Sequence, residues 1–173
     1  DEYHEEHGEP GGLSLTTAAN TNYHQNRDFA TRLYDRFILE RSAGSLAFEK
    51  EFSETTQLDF KAFGGRYRRW SKRQRGGGFG TVPTGAASGT NDIQEQFFYN
   101  FGFEPRFRHD YEMFGEKQTL AFGTFTYFSY SPREERRGES PWADDGLLRK
   151  ESKRYLSNLS IFLEHIIRWK KLS

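Results

Sequence analysis

The sequence lacks cysteine, contains a single valine and carries no net charge. The absence of cysteine excludes disulfide scaffolds, thiolate metal sites and cysteine nucleophiles. No stretch of about 18 consecutive apolar residues is present, which excludes a transmembrane helix. Because 25 Lys and Arg balance 25 Asp and Glu, the overall charge gives no argument for nucleic-acid binding, and it argues against an extended, self-repelling coil.

What the sequence contains in quantity is aromatic side chains: 17 Phe, 9 Tyr and 3 Trp. Leu, Ile, Val and Phe together make up 36 of the 173 residues, about 21%, close to the level of about 20% below which chains rarely build a core. Aromatic residues favour strands, so this composition predicts sheets with one apolar face. The first residue is Asp1 rather than methionine, and we expect that the natural start has been removed.

Alternation of apolar and polar residues predicts several long strands. In residues 94–111, every second side chain is apolar, mostly aromatic, and most of those between are polar; this period of two indicates a strand, because successive side chains of a strand point to opposite faces. The aromatic set consists of Phe97, Tyr99, Phe101, Phe103 and Phe107. Weaker alternation predicts strands at 36–52, 57–70 and 118–130, with a bulge at Gly44, where the first of them changes phase.

Two further segments fit either a strand or a helix. Residues 155–169 alternate like a strand, but their leucines would also form one stripe of an amphipathic helix. Residues 28–41 have a similar helical alternative, with Asp28 as N-cap and Gly44 beyond the end. Strands are predicted next to both segments, which favours a strand for each of them.

The connections between the predicted strands alternate in length. Short polar turns are predicted at 53–55, 113–116 and 169–171, and long polar loops at 4–36, 71–91 and 131–153. Long loops of this size are uncommon in compact soluble domains. Short turns at one end of long alternating strands and long loops at the other end are typical of outer-membrane β-barrels.

Three stretches resemble the barrel of TonB-dependent receptors, and the ferric-citrate receptor type in particular. They are residues 6–13 (EHGEPGGL), 69–80 (RWSKRQRGGGFG) and 159–167 (LSIFLEHII), the last shortly before the final Leu172 and Ser173. The resemblance covers most of the chain. It implies a barrel of 22 strands, plugged by an N-terminal globular domain, which takes up ferric chelates with energy delivered through TonB.

The resemblance implies that residues 1–173 form part of such a barrel domain, without the plug. The expected fold is all-β: an antiparallel up-and-down meander of about five to six long strands, fewer than the 8 of the smallest transmembrane barrels. We therefore expect an internal fragment, located in the outer membrane among its lipids, that contributes extracellular loops to the capture of a ferric chelate, such as iron citrate or another siderophore. TonB would act only through the missing plug. No enzyme activity, cofactor or nucleic-acid partner is expected.

A basic cluster at the end of the second predicted strand is the first candidate site. It comprises Arg66, Arg68, Arg69, Lys72, Arg73 and Arg75. Guanidinium groups recognise carboxylates through paired hydrogen bonds, and an iron-citrate complex presents carboxylates. If the even positions of this strand face lipid, Tyr67, Arg69 and Arg73 point toward the vestibule and are the predicted ligand-binding residues. The alternative is that these arginines contact lipopolysaccharide phosphates or water.

A second candidate site lies on the polar side of the 94–111 strand. Glu104, Arg106 and Arg108 would face the lumen there, and we expect them to form ion pairs with the plug rather than to contact ligand.

Other motifs have simpler explanations. The sequence His4-Glu5-Glu6-His7 offers metal-ligating groups, but its spacing is not that of the HExxH zinc motif, and a solvated loop is expected, with no metal site. The glycine-rich run 75–80 lacks the Lys-Ser/Thr pair of a phosphate-binding loop and predicts a flexible loop apex. No nucleophile elbow or paired-carboxylate motif organises a catalytic site.

Two other classes of protein fit parts of the pattern. A soluble extracellular β-sandwich that binds carbohydrate or another ligand would pack its strands into two sheets. A barrel enzyme such as an outer-membrane hydrolase would need a catalytic set that the sequence does not display. A single-layer sheet that exposes the aromatic row of residues 94–111 would favour the barrel, and a two-layer core that buries this row would favour the sandwich.

Overall fold

A computed structural model describes residues 2–8, 19, 32–77 and 82–169. They form six strands and one short 3₁₀ helix, Ala86–Gly89, which lies between the third and fourth strands. Among these residues, no helix is long and apolar enough to cross a membrane. The strands are β1 (Glu2–Gly8), β2 (Arg36–Ser53), β3 (Thr56–Gln74), β4 (Asn91–Met113), β5 (Glu116–Gly138) and β6 (Leu147–Ile166).

The strands form one sheet in chain order, and each pairs antiparallel with the next. The predicted all-β, antiparallel up-and-down meander is therefore confirmed, and the strands predicted at 57–70, 94–111 and 118–130 lie within β3, β4 and β5. The segment 155–169 belongs to β6 as far as Ile166, so its helical alternative is wrong. In the segment 28–41, β2 begins at Arg36, and residues 28–31 lie outside the described part of the chain.

The strands extend further than predicted. β4 and β5 each have 23 residues, and only residues 139–146 separate β5 from β6. The predicted loop at 131–153 is therefore largely wrong, and that at 71–91 is shortened because β3 continues to Gln74. The physical reason is that both faces of the sheet carry charged side chains near these strand ends. The apolar-polar alternation disappears there although the ladder of hydrogen bonds continues.

The start of the N-terminal loop and the bulge were also predicted wrongly. Residues 4–8 of the loop predicted at 4–36 belong to β1, which pairs with β2, and residues 9–18 and 20–31 lie outside the described part of the chain. The register of β2 and β3 runs without interruption through the pair Gly44 and Gly64. The register shifts lie elsewhere, between Glu51 and Ser53 and between Glu135 and Arg136.

The predicted turn at 113–116 is a tight two-residue hairpin loop. Met113 pairs with Glu116, and the two residues between them have positive φ angles, 58° at Phe114 and 71° at Gly115. Positive φ at both central residues defines the type I′ turn, whose twist matches that of the flanking strands. The turn at Glu54 and Thr55 similarly joins β2 directly to β3.

The sheet is a single layer. Its strands pack on their neighbours in sequence, and the buried hydrophobic side chains of the described residues are Ile93 and Ala121 alone. Many large apolar side chains are exposed instead, including Phe48, Phe101, Leu159, Ile161 and Leu163. In the described part of the chain, the sheet therefore has two accessible faces and no interior of the kind that a compact soluble domain builds.

Candidate functional site: the two faces of the sheet

The strand register assigns every side chain to one of two faces. Directly paired residues of antiparallel strands have their side chains on the same face, so Tyr99 shares a face with its partners Arg66 and Tyr130. We call this the apolar face. The opposite face, which carries Asn100 and its partners Gly65 and Ser129, is the polar face.

An apolar band crosses the middle of the apolar face. The aromatic row that was predicted for β4 lies in it, with Phe101 exposed by 53%. Phe101 packs on Phe128 with ring centroids 6.4 Å apart, and Phe107 packs on Phe122 at 5.1 Å. On β6 the band continues with Leu159, Ile161 and Leu163, each more than half exposed. These side chains face out from the sheet without any protein layer above them in the described part of the chain.

A row of tyrosines forms one boundary of this band. Tyr99, Tyr130 and Tyr155 are paired across three neighbouring strands. Their rings stack, with centroids 6.1 Å apart between Tyr99 and Tyr130 and 4.9 Å apart between Tyr130 and Tyr155. Tyrosine has an apolar ring and a polar hydroxyl, which suits a boundary between apolar and wet surroundings.

Histidine, tyrosine and threonine form the other boundary. His109 stacks on Tyr111, and the Tyr111 hydroxyl lies 2.7 Å from Nε2 of His165. Oγ1 of Thr56 lies 2.9 Å from Nδ1 of His109. The two boundary rows are ten positions apart on β4, from Tyr99 to His109, and on β6, from Tyr155 to His165.

Beyond the tyrosine row, the apolar face carries ion pairs instead of hydrocarbon. Arg68 donates to Glu95 at 2.7 Å and to Glu40 at 3.2 Å. Arg136 donates to Glu134 at 2.7 Å and to Asp145 at 3.1 Å. The end of the sheet that lies next to the connection at 139–146 is therefore charged on both faces and largely neutralised.

The connection at residues 139–146 folds back over this end. Nδ2 of Asn91, which is fully buried, donates to the carbonyl oxygens of Pro141 at 3.0 Å and Ala143 at 2.7 Å. Nζ of Lys72 donates to the carbonyl oxygen of Trp142 and to the carboxylate of Asp144. These bonds explain why Lys72, a residue of the predicted basic cluster, is buried.

On the polar face, hydrogen bonds between side chains and aromatic rings that cover glycines connect the neighbouring strands. Oδ1 of Asn100 accepts hydrogen bonds from the hydroxyls of Tyr127 and Ser129, both at 2.9 Å. The ring of Phe63 covers Gly102, where an added Cβ would lie 2.5 Å from that ring and 2.8 Å from the carbonyl oxygen of Thr126. Side chains of this kind fix the register of neighbouring strands.

The basic cluster is split between the two faces. Tyr67, Arg69 and Arg73 have odd numbers on β3 and lie on the polar face, whereas Arg66 and Arg68 lie on the apolar face. The ring of Tyr67 packs on Phe98 with centroids 5.4 Å apart. The guanidinium of Arg69 lies 5.1 Å from the ring centroid of Phe37. The predicted ligand-binding residues thus share one face.

The second predicted set lies on the same face near the other end of the strands. Arg106 lies 3.9 Å from Glu164 and 5.9 Å from the ring centroid of Phe162. Arg108 lies 3.3 Å from Asp110, which also accepts a hydrogen bond from Thr119 at 2.7 Å. These arginines have partners within the sheet that sequence reasoning missed. Glu164 lies two strands away on β6, and Asp110 lies two residues further along β4.

Between the two sets, the polar face has a concave region of about 840 Å³. Its floor includes Ala43 and Gly65. An added Cβ at Gly65 would lie 2.8 Å from the carbonyl oxygen of Ser42. None of the described residues that line the region is a carboxylate, and its polar and charged lining includes Arg41, Lys61, Tyr67, Asn100 and Tyr127. The paired small residues of β2 and β3 were the sequence signal for this hollow, and sequence reasoning did not use it.

The His4-Glu5-Glu6-His7 segment lies in β1, so the expectation of a solvated loop is wrong. Strand geometry sends His4 and Glu5 to opposite faces, and Nδ1 of His4 lies 3.8 Å from Glu40 of the next strand. Within residues 2–8, 19, 32–77 and 82–169, no group of three or more metal-ligating side chains is close enough together to hold a metal ion. Residues 78–80 of the glycine-rich run lie outside the described part of the chain.

Comparison of the chain with models of known protein families, with curated proteins and with solved structures finds no match.

Proposed function

We propose that this chain is part of the barrel of an outer-membrane TonB-dependent receptor that takes up a ferric chelate. The observation that carries the proposal is a single-layer sheet with an exposed apolar band on one face and a polar surface on the other. In an aqueous protein such a band would be covered by a second layer. In a membrane barrel, lipid takes the place of that layer.

The height of the apolar band supports this environment. Ten residues of strand span about 34 Å, and a strand tilted by about 40° from the barrel axis would cross about 26 Å. Outer-membrane barrels carry an apolar band about 25 Å tall, flanked by girdles of aromatic residues. The tyrosine row and the row of His109, Tyr111 and His165 occupy the positions of these two girdles.

The edges of the sheet support a larger barrel. Among the described residues, no strand pairs with the outer edge of β1 or β6. In a membrane, each unsatisfied backbone group costs several kcal/mol, so the sheet needs neighbours on both sides. We propose that the remaining strands of a 22-strand barrel complete it, and that the connection at 139–146 lies on the extracellular side.

On this proposal, the polar face lines the lumen. Tyr67, Arg69 and Arg73 contact the carboxylates of the ferric chelate in the vestibule, close to the hollow that Arg41 and Lys61 line. Glu104, Arg106 and Arg108 lie toward the periplasmic turns and face the plug. TonB acts on the plug and has no contact with this sheet.

The test is uptake by the full-length protein that contains this chain, produced in a bacterium without its own ferric-citrate receptor. Expected results are a barrel whose electrophoretic mobility changes on heating and an uptake of radioactive iron citrate that disappears when TonB is deleted. Binding of iron citrate to the purified receptor would be measured in parallel. Recovery of a soluble periplasmic protein that binds carbohydrate would contradict the proposal and favour the β-sandwich.

A further inference from the structure

One arginine of the apolar face differs from its neighbours. Arg66 lies in the tyrosine row, paired with Tyr99, and its guanidinium lies 5.0 Å from the ring centroid of Phe97. Arg68, the next residue of the same face, binds Glu40 and Glu95. Within the described residues, no carboxylate lies within ion-pair distance of Arg66. No carboxylate of the described residues therefore compensates the charge of this guanidinium at the border of the apolar band.

The surface beside Arg66 carries only small side chains or none, beginning with Ser42, the partner of Arg66 on β2. Gly64 and its partner Gly44 lie one row further into the apolar band, and an added Cβ at Gly44 would meet nothing within 4 Å. On one side the backbone is flanked by Phe101, whose ring would lie 4.0 Å from a Cβ at Gly64. The next pair along the strands is Leu46 and Ala62. The result is a short apolar track, two strands wide and one residue pair long, between the cation of Arg66 and the side chains of Leu46 and Ala62.

We propose that this track and Arg66 bind one anionic lipid, with the lipid phosphate on the guanidinium and an acyl chain over Gly44 and Gly64. The inference rests on the proposed membrane location and adds a site that is distinct from the lumen. Arginine presents several donors in a planar fork that matches a phosphate group. The positive charge of Arg66 favours an anionic headgroup, and the missing side chains at Gly44 and Gly64 leave room for the acyl chain of the lipid.

The experiment is lipid retention by the full-length receptor, measured by native mass spectrometry after extraction from vesicles of phosphatidylglycerol or phosphatidylcholine. The Arg66→Gln variant is expected to retain phosphatidylglycerol about tenfold more weakly, as loss of a charged hydrogen bond would produce. Its retention of phosphatidylcholine should be unchanged. Lys61→Gln is the matched control, because Lys61 is an exposed cation of the same strand on the polar face.

A second variant tests the track without changing charge. Gly44→Leu adds a side chain where the surrounding space is open, so folding is preserved while the acyl chain is displaced. It is expected to weaken retention of both lipids by several-fold. Millimolar inorganic phosphate should not displace phosphatidylglycerol, because it has no acyl chain.

The outcomes separate this inference from the proposed function. Equal retention of phosphatidylglycerol by wild type, Arg66→Gln and Gly44→Leu, with iron citrate uptake intact, would overturn the lipid site alone. Displacement by inorganic phosphate would show that the site binds an anion rather than a lipid. A wild-type protein that does not enter vesicles of either lipid would overturn both.

Discussion

Two neighbouring residues of β4 illustrate the difference between the faces of the sheet. Tyr99 stacks on Tyr130 and is 41% exposed, whereas Asn100 accepts two hydrogen bonds from β5. The backbone and the pairing are the same for both residues. Only the direction of the side chain differs, because a shift of one position moves a side chain to the other face. The apolar face depends on its surroundings for stability, and the polar face depends on contacts within the sheet.

The largest effect is expected from a charge in the middle of the apolar band. Leu159 is 66% exposed and lies near the centre of β6 between its two boundary residues. On the proposed location of this band in lipid, Leu159→Arg is expected to destabilise the protein by about 2–4 kcal/mol, the range found for arginine at the centre of a bilayer. The measurement is the free energy of unfolding in urea, with the protein folded in phospholipid vesicles.

The matched control is the adjacent residue on the polar face. Asn158 is also exposed, and its one hydrogen bond within the described residues is to Ser160 on the surface. Asn158→Arg is expected to change the free energy of unfolding by less than about 0.5 kcal/mol. Equal losses from the two substitutions would mean that both faces meet the same surroundings, and the distinction between the faces would fail.

The next largest effect concerns the glycines. Gly102→Ala places a methyl group against the ring of Phe63 and the carbonyl oxygen of Thr126, and we expect a loss of about 1–3 kcal/mol from overpacking. Gly44→Ala on the apolar face has open space and is expected to be neutral or stabilising by up to about 1 kcal/mol. Unfolding in urea measures both changes, and a loss at Gly44 as large as that at Gly102 would refute this account.

Ligand binding gives a third contrast between the faces. Replacing Arg69 and Arg73 together with alanine is expected to weaken iron citrate binding about 10- to 100-fold, equivalent to the loss of one charged hydrogen bond of about 1.5–3 kcal/mol in total. Lys50→Ala, on the apolar face near the other end of β2, should leave the dissociation constant unchanged. Calorimetric titration of the purified full-length protein with iron citrate measures both dissociation constants. Unchanged affinity in the double variant would remove these arginines from the proposed site.

Sequence periodicity predicted the middle of each long strand and failed at the ends. Within the apolar band, residues such as Phe101 and Phe103 alternate with polar neighbours, and the period is visible in one strand alone. Residues 131–138 are mostly charged because both faces are polar there, so the ladder continues without a hydrophobic signal. β1 was missed for the same reason.

The site could be predicted only in part. The face of Arg69 and Arg73 follows from counting along one strand, because the period of two is fixed by backbone geometry. The partners of Arg106 and Asn100 lie on other strands. Which residues become partners therefore depends on the register between strands. No residue of a single strand encodes that register, which is why the hollow beside Gly65 and the lipid track beside Gly64 appeared only in the structure.

The smallest effect is expected at Asn100, where it also has the clearest interpretation. Asn100→Ala removes the acceptor for the hydroxyls of Tyr127 and Ser129, and we expect a loss of about 1–2 kcal/mol in the free energy of unfolding. Tyr127→Phe removes one of the two bonds and retains the ring. If the bonds stabilise the polar face, Asn100→Ala should have less effect in the Tyr127→Phe background than in wild type. Additive losses would mean that the Asn100 amide acts through packing alone. Asn100 and the stacked Tyr99 beside it would then both stabilise the sheet through the shape of their side chains, and hydrogen bonding would not distinguish the two faces.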